Sequence, residues 1–294
     1  MVLQSDIARR VDALIGDRTP FVVATVVRAQ RPTSVRPGDS GIVLGDGTIE
    51  GFVGGACAET SVRLQALRAL ETGEALLLRI VPEGDETAEA EGAMVVENPC
   101  LSGGALEIFL EPRLPAPRIA VVGNTPIAHA LASIGERAGY EVDGTATDTD
   151  DSIALVVASH GKDEEDALAA ALTAAVPYVG LVASRKRGAA VKEELSTRGV
   201  PEEQLNRLHT PAGLDIGAQT AEEIAISILA EIVATRHRQI TGPQTATDPV
   251  CGMTVAVSDS TPSATHEGHP IYFCGDGCRK AFEEDPARYA ASRG

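Results

Sequence analysis

Three of the chain's five cysteines, Cys251, Cys274 and Cys278, fall in one short segment near its carboxyl end. That is metal-ligand patterning. Cys274 and Cys278 lie four apart in Tyr272-Phe273-Cys274-Gly275-Asp276-Gly277-Cys278, so a helix opening there turns both sulfurs to one side, where two soft thiolates can grip one ion. Cys251, within Asp248-Pro249-Val250-Cys251-Gly252-Met253, can supply a third ligand across a turn. The fourth is open among His266, His269, water and a partner's group. Buried packing cysteines are the plain alternative, but so short a segment is poor in core and ordinarily needs a metal or disulfide staple.

A second constellation lies near the amino end. Gly54-Gly55-Ala56-Cys57-Ala58-Glu59 places a cysteine on a glycine-rich turn just before a predicted helix, where exposed amides favour the thiolate of Cys57 or bind a phosphate. A buried cysteine in a tight turn is the structural alternative. Asn98-Pro99-Cys100-Leu101-Ser102-Gly103-Gly104 puts another cysteine in a loop between strands, making Cys57 and Cys100 a candidate two-thiol site for a soft metal centre or a sulfur-bearing cofactor. The loop from Gln30 to Gly38 offers Thr33, Ser34 and Arg36 to a phosphate, and arginine's planar fork suits that anion. Ser184 and Arg185, just after a predicted strand, can meet an anion at the carboxyl edge of a sheet.

Hydrophobic periodicity supplies the elements that hold these residues. After a first amphipathic helix over 5–15, strands are expected at Phe21–Val27, Gly41–Leu44, Thr48–Val53, Ala75–Val81, Ala93–Glu97 and Ala105–Leu110, with a helix over Glu59–Thr72. These define a strand-rich α+β domain over residues 1–111. The proline-rich run 112–117 reads as a stiff linker. Beyond it, strands and helices alternate over 118–237, including helices over Ala189–Thr197 and Ala221–Thr235, as in a Rossmann-like, doubly wound parallel sheet. At its first strand-to-helix turn, Gly123 keeps one glycine of the dinucleotide fingerprint while Thr125 replaces the glycine that lets a pyrophosphate approach, which speaks against hydride transfer with NAD. A polar linker leads to the small metal-binding module at 248–292.

The 294 residues are 44% hydrophobic but only 3% aromatic, so the cores must be built from Ala, Val, Leu and Ile. A net charge of −17 argues against nucleic acid and anionic membranes as general partners. With no uncharged apolar run of about 18 residues and no secretory leader pattern, the expected location is cytoplasmic and membrane insertion is not expected.

Ser34-Val35-Arg36-Pro37-Gly38, Gly55, Cys57 and Glu59, Cys100 with Gly103 and Gly104, Gly123, Ser184-Arg185-Lys186, and Pro211 through Gly217 together resemble the XdhC/CoxI family of molybdenum-hydroxylase maturation factors, over about residues 10–235. Residues 248–290 resemble the YHS domain, a treble-clef-like module. The resemblance implies a largely non-catalytic chaperone that transiently binds molybdenum cofactor, assists its sulfuration and delivers it to an apo-hydroxylase of the xanthine or carbon monoxide dehydrogenase type. Cys57 and Cys100 would then lie near the cofactor, and Arg36 and the Gly54-Gly55 turn near its phosphate end. The same likeness puts Ser34, Glu59, Gly103, Gly104, Gly123, Ser184 and Arg185 among the cofactor-binding residues. It implies a cysteine desulfurase and the apo-enzyme as partners, a zinc or other soft ion in the last module, and leaves a homo-oligomer open. The competing readings are an NAD(P)-dependent oxidoreductase with an accessory metal domain, and a metal-sensing or metal-trafficking protein.

Overall fold

The computed structural model describes residues 4–82, 92–98, 104–144, 151–159, 164–238 and 242–290. The chain divides into two compact units, one formed by Met1–Pro115 together with Gly242–Gly294, the other by Ala116–Thr241.

In the first unit, helix α1 (Gln4–Gly16) lays Ile7, Val11 and Leu14 against Phe21 and Ile42. Strands β1 (Phe21–Gln30), β2 (Ser40–Leu44) and β3 (Ile49–Gly51) lead to helix α2 (Ala56–Thr72), then to β4 (Leu76–Pro82), β5 (Ala93–Asn98) and β6 (Ala105–Arg113). They form one sheet in the order β3-β2-β1-β6-β4-β5, in which only the β4–β5 pair is parallel. Alternate residues of the central strands, Val22, Ala24 and Val26 with Leu78, Ile80, Ile108 and Leu110, turn to one face and pack on Val62, Ala66 and Ala69 of α2. The helix begins three residues earlier than periodicity suggests. Gly55, in extended backbone, takes the N-cap position and its carbonyl accepts from Glu59 N at 3.0 Å, which carries Cys57 into the first turn.

The second unit runs β7 (Arg118–Val122), α3 (Pro126–Arg137), β8 (Glu141–Asp143), β9 (Ser152–Val157), α4 (Glu164–Thr173), β10 (Tyr178–Leu181), α5 (Arg185–Thr197), α6 (Glu202–Leu205), β11 (Leu208–His209) and α7 (Ala221–Arg238). Its sheet is parallel throughout, in the order β11-β10-β9-β7-β8. Leu131 of α3 and Ile228 of α7 bury one face, while Leu168, Leu172, Val191, Leu195 and Leu205 of α4, α5 and α6 bury the other, so the sheet is doubly wound. Helix α5 starts four residues ahead of expectation because Ser184 caps it, its Oγ accepting from Arg187 N at 3.3 Å. Arg185, Lys186 and Arg187 therefore stand in a helical turn and not in a loop.

The carboxyl-terminal module comprises two antiparallel ribbons, β12 (Thr245–Thr247) with β13 (Thr254–Ala256) and β14 (Ser263–His266) with β15 (His269–Tyr272), then helices α8 (Asp276–Glu284) and α9 (Pro286–Ala290). Ile271, Phe273 and Phe282 form its small core. The module seats on α2: Leu64 and Leu67 pack on Ala256, Ser260 Oγ donates to Asp46 O at 3.1 Å, and Thr60 Oγ1 donates to Cys274 O at 2.5 Å. With the sheet on one side and the module on the other, α2 buries residues around most of its circumference, which explains why its apolar residues do not keep to a single stripe. Among the described residues, no helix is long and apolar enough to cross a membrane.

Candidate functional site

Two features of the first unit meet at the start of α2. The first is a cavity of about 320 Å3 lined by Thr33 and Ser34 from the loop after β1, by Gly55, Cys57 and Ala58, and by Ile80, Gly104 and Leu106 of the sheet. Gly104 lets the loop come this close, since a Cβ there would stand 2.1 Å from Pro32 O. Gly55 at the N-cap offers no side-chain cap to α2, and a helix start of that kind suits an anion.

The second feature is a thiol cluster. Asp248, Cys251, Cys274 and Cys278 bring their ligand atoms within 4.8 Å of one another. Cys274 Sγ lies 3.5 Å from both Cys251 Sγ and Cys278 Sγ. Cys274 sits just ahead of α8, whose N-cap is Gly275, and Cys278 in its first turn, so the pair straddles the helix start instead of sharing one helical face. Cys251 reaches them from a tight turn in which Gly252 takes φ 78° and its amide donates to Asp248 O at 2.8 Å. Asp248 is fully buried and ties the two segments together. Its Oδ1 accepts from Val250 N at 2.8 Å and its Oδ2 from Cys274 N at 2.7 Å. Its importance goes unseen in the sequence because one acid in a turn carries no periodic signal; the Asp-x-x-Cys spacing is the only hint.

The three thiols cannot all ionise without a cation among them. The thiol contact shared with Cys274 holds Cys251 below its usual value, while that same contact, Cys57 and burial push Cys274 far up. Burial, joined by the charges of Asp248 and Cys251, pushes Cys278 up to about 12. A bound cation reverses this ordering, since metal binding requires and releases the thiol protons.

The structure thus gathers Ser34, Gly55, Cys57 and Gly104 around one cavity, and Cys251, Cys274 and Cys278 around one point. Arg36 is exposed outside the cavity lining, its backbone N donating to Asp39 Oδ2 at 2.8 Å, and Gly54 and Glu59 also fall outside the lining. Cys100 and Gly103 lie outside the described residues. Of the histidines considered as fourth ligand, His266 packs edge-on against Phe282 and His269 is exposed; neither joins the cluster.

In the second unit, Ser184 and Arg185 line a separate pocket of about 590 Å3 with the loop from Pro211 to Ala218. Glu231 holds that loop: Gly213 N and Tyr178 OH both donate to its Oε2 at 2.7 Å, and His209 Nδ1 hydrogen-bonds its Oε1 at 2.9 Å. Burial raises the carboxyl's pKa, but the hydrogen bonds from His209, Tyr178 and Gly213 outweigh it and the net shift is downward. Gly123, at φ 126°, lies elsewhere, pressed so close to β9 that a Cβ would stand 2.2 Å from Ala158 O. Thr125 Oγ1 donates to Ala158 O at 2.9 Å and accepts from Ala128 N at 3.2 Å, so the helix-start amide that a dinucleotide phosphate would use is already capped.

Comparison with known proteins places three family models along the chain: the XdhC and CoxI family over residues 14–81, the XdhC Rossmann domain over 119–232 and the YHS domain over 246–293. The uncharacterized protein YqeB of Escherichia coli K12 is 28% identical over 247 residues, covering 74% of this chain and 44% of that protein, so the chain spans less than half of this relative's length. The molybdenum cofactor insertion chaperone PaoD of Escherichia coli K12 is 24% identical, with 78% of this chain and 87% of that protein covered. A Bacillus subtilis 168 protein named as a probable xanthine dehydrogenase component is 34% identical over 29% of this chain and 24% of its own. A crystal structure of a xanthine dehydrogenase from Bacillus halodurans aligns at 17% identity with a TM-score of 0.38, over 79% of this chain and 96% of that one.

Proposed function

Because the chain belongs to the XdhC and CoxI family and closes in a YHS domain, we propose that it receives molybdenum cofactor, shelters it and passes it to the apo-form of a molybdenum hydroxylase. The observation that carries this reading is the cavity at the start of α2, where a thiol, two hydroxyls and an uncapped helix start converge. The donor set fits such a guest in kind. Cys57 offers a soft ligand to a metal–dithiolene end, Thr33, Ser34 and the first amides of α2 offer hydrogen bonds to an anionic end, and Ile80 and Leu106 keep water away. At about 320 Å3 the cavity stands near the small end of ligand pockets, so it encloses one end of an extended cofactor and leaves the other for handover. The cofactor, when bound, supplies the molybdenum centre that the client uses; this chain's residues bind it, orient it and exclude solvent. That one relative is named a molybdenum cofactor insertion chaperone supports the same reading.

Finer parts of the proposal are that the cofactor's terminal sulfur is installed while it rests here, with a cysteine desulfurase as donor, and that the client is of the carbon monoxide or xanthine dehydrogenase type. The oxidoreductase alternative is disfavoured by the capped helix start at Thr125. The test is retention: the full chain incubated with molybdenum cofactor and desalted keeps molybdenum and pterin together, and Cys57→Ala loses most of both while keeping its circular dichroism. Equal retention by the two proteins removes Cys57 and its cavity from the site.

A further inference from the structure

The thiol cluster of the carboxyl-terminal module does not stand alone. Cys57, from the first turn of α2 and distant in sequence, packs against the same cluster of Met253, Val255 and Cys274 that Cys251 and Cys278 pack against, its sulfur lying beside, and not among, the four ligand atoms that fall within 4.8 Å of one another. A tetrahedral ion with metal–sulfur bonds of about 2.3 Å sets its sulfurs about 3.8 Å apart. The 3.5 Å separations of Cys274 from Cys251 and from Cys278 are already close to the edges of that tetrahedron.

We propose that Cys57, Cys251, Cys274 and Cys278 form one four-thiolate centre for a thiophilic d10 cation, shared between α2 and the carboxyl-terminal module. Four soft, identical donors select such an ion over hard cations. Asp248 is a poorer fourth ligand than Cys57, because both of its oxygens already accept backbone amides and it serves to hold the Cys251 turn beside Cys274. Two helix starts also converge here. Cys57 is the second residue of α2 and Cys278 the third of α8, and neither helix has a side-chain cap, so the positive ends of both dipoles offset the charge of four thiolates around one ion. An approach to the cluster exists through a groove of about 610 Å3, lined by Ser61, Gln65 and Arg68 of α2 and by Cys251 and Gly252.

The centre has two consequences. It bolts the module to the face of α2 from which Thr60, Leu64 and Leu67 already contact it. It also withdraws Cys57 from the 320 Å3 cavity, so that ion and cofactor compete for one sulfur; this exclusivity, though not the centre itself, rests on the cofactor reading above.

The test uses Zn2+ alone with the full-length protein. Cys57 is labelled with an alkylating reagent and located by mass spectrometry, with the metal bound and after chelation. Zinc is expected to slow labelling of Cys57 at least about tenfold, together with that of Cys251, Cys274 and Cys278, and Cys274→Ser is expected to abolish the protection of Cys57. Cys57→Ser is expected to weaken zinc binding by about a hundredfold, as loss of one of four ligands should. Labelling of Cys57 at the same rate with and without zinc, while the other three are protected, overturns the proposal and assigns the ion to the module alone. Should Cys57→Ser fold poorly, the wild-type labelling decides the matter by itself. Cofactor retention is not read in this experiment, so its outcome is separable from that of the proposed chaperone role.

Discussion

Replacing Thr60 by valine removes one hydroxyl and leaves the shape of α2 almost unchanged, yet it acts where the module is seated. Thr60 is buried, and its Oγ1 donates to Cys274 O at 2.5 Å while also approaching Ala56 O at 3.0 Å. The Ala56 carbonyl keeps its helical role, but Cys274 O loses a partner in a place that water does not reach. A lost hydrogen bond costs about 1 kcal/mol net, and a buried acceptor left unsatisfied brings the total to about 1–3 kcal/mol. For a unit of this size each kcal/mol is worth about 2–4 °C in Tm, so Thr60→Val should lower the midpoint of the first unit by about 2–12 °C in calorimetry. Thr72→Val is the control: its hydroxyl donates to Arg68 O at 3.2 Å on an exposed part of the same helix, and its effect should stay within about 0.5 kcal/mol. A Thr60→Val midpoint within about 1 °C of the wild type, or equal effects from both variants, would refute the claim that α2 and the module share a tightly packed contact.

Glu231→Gln should loosen the Pro211–Ala218 loop and cost about 1–3 kcal/mol, since the carboxylate accepts from Tyr178, Gly213 and His209 together. Its folded pKa lies below the ordinary 4.5, so its stabilisation is complete above that value and is lost as pH falls through the lower folded pKa; acid titration of the second unit's stability should show this limb flattened in Glu231→Gln, and an unaltered limb would disprove it. Gly104→Ala forces a Cβ to 2.1 Å from Pro32 O, so the Pro32–Ser34 loop must move, at a cost of about 1–3 kcal/mol. Cofactor retention should fall in that variant even where circular dichroism is unchanged, and full retention would show that the loop does not shape the cavity.

Much of the architecture was legible along the chain. Alternating apolar residues in Phe21–Val27 and Ala105–Leu110 marked strands that do pair as β1 and β6, and the run of strands and helices after Pro117 marked the parallel sheet. Thr220 and Glu223 stand at the capping-box spacing along the chain, and the box forms, Glu223 N donating to Thr220 Oγ1 at 3.2 Å and Thr220 N to Glu223 Oε2 at 3.1 Å. Helix starts were harder to read. Gly55 and Ser184 begin α2 and α5 earlier than the apolar period does, because a cap is a single local hydrogen-bonding choice and leaves no repeat to detect.

Residue types and spacing alone determined that this chain holds a doubly wound sheet and a small cysteine-bearing module, since burial period and ligand spacing are local properties written into neighbouring positions. Which sulfurs meet was decided only by the tertiary structure. Cys57 packs against Cys274 across more than two hundred residues because α2 is buried between a sheet and the module, and Arg36, close to Ser34 in sequence, is exposed outside the cavity that Ser34 shares with Cys57. Contacts of that kind are set by how preformed surfaces fit together, a matter of packing that no spacing along the chain encodes.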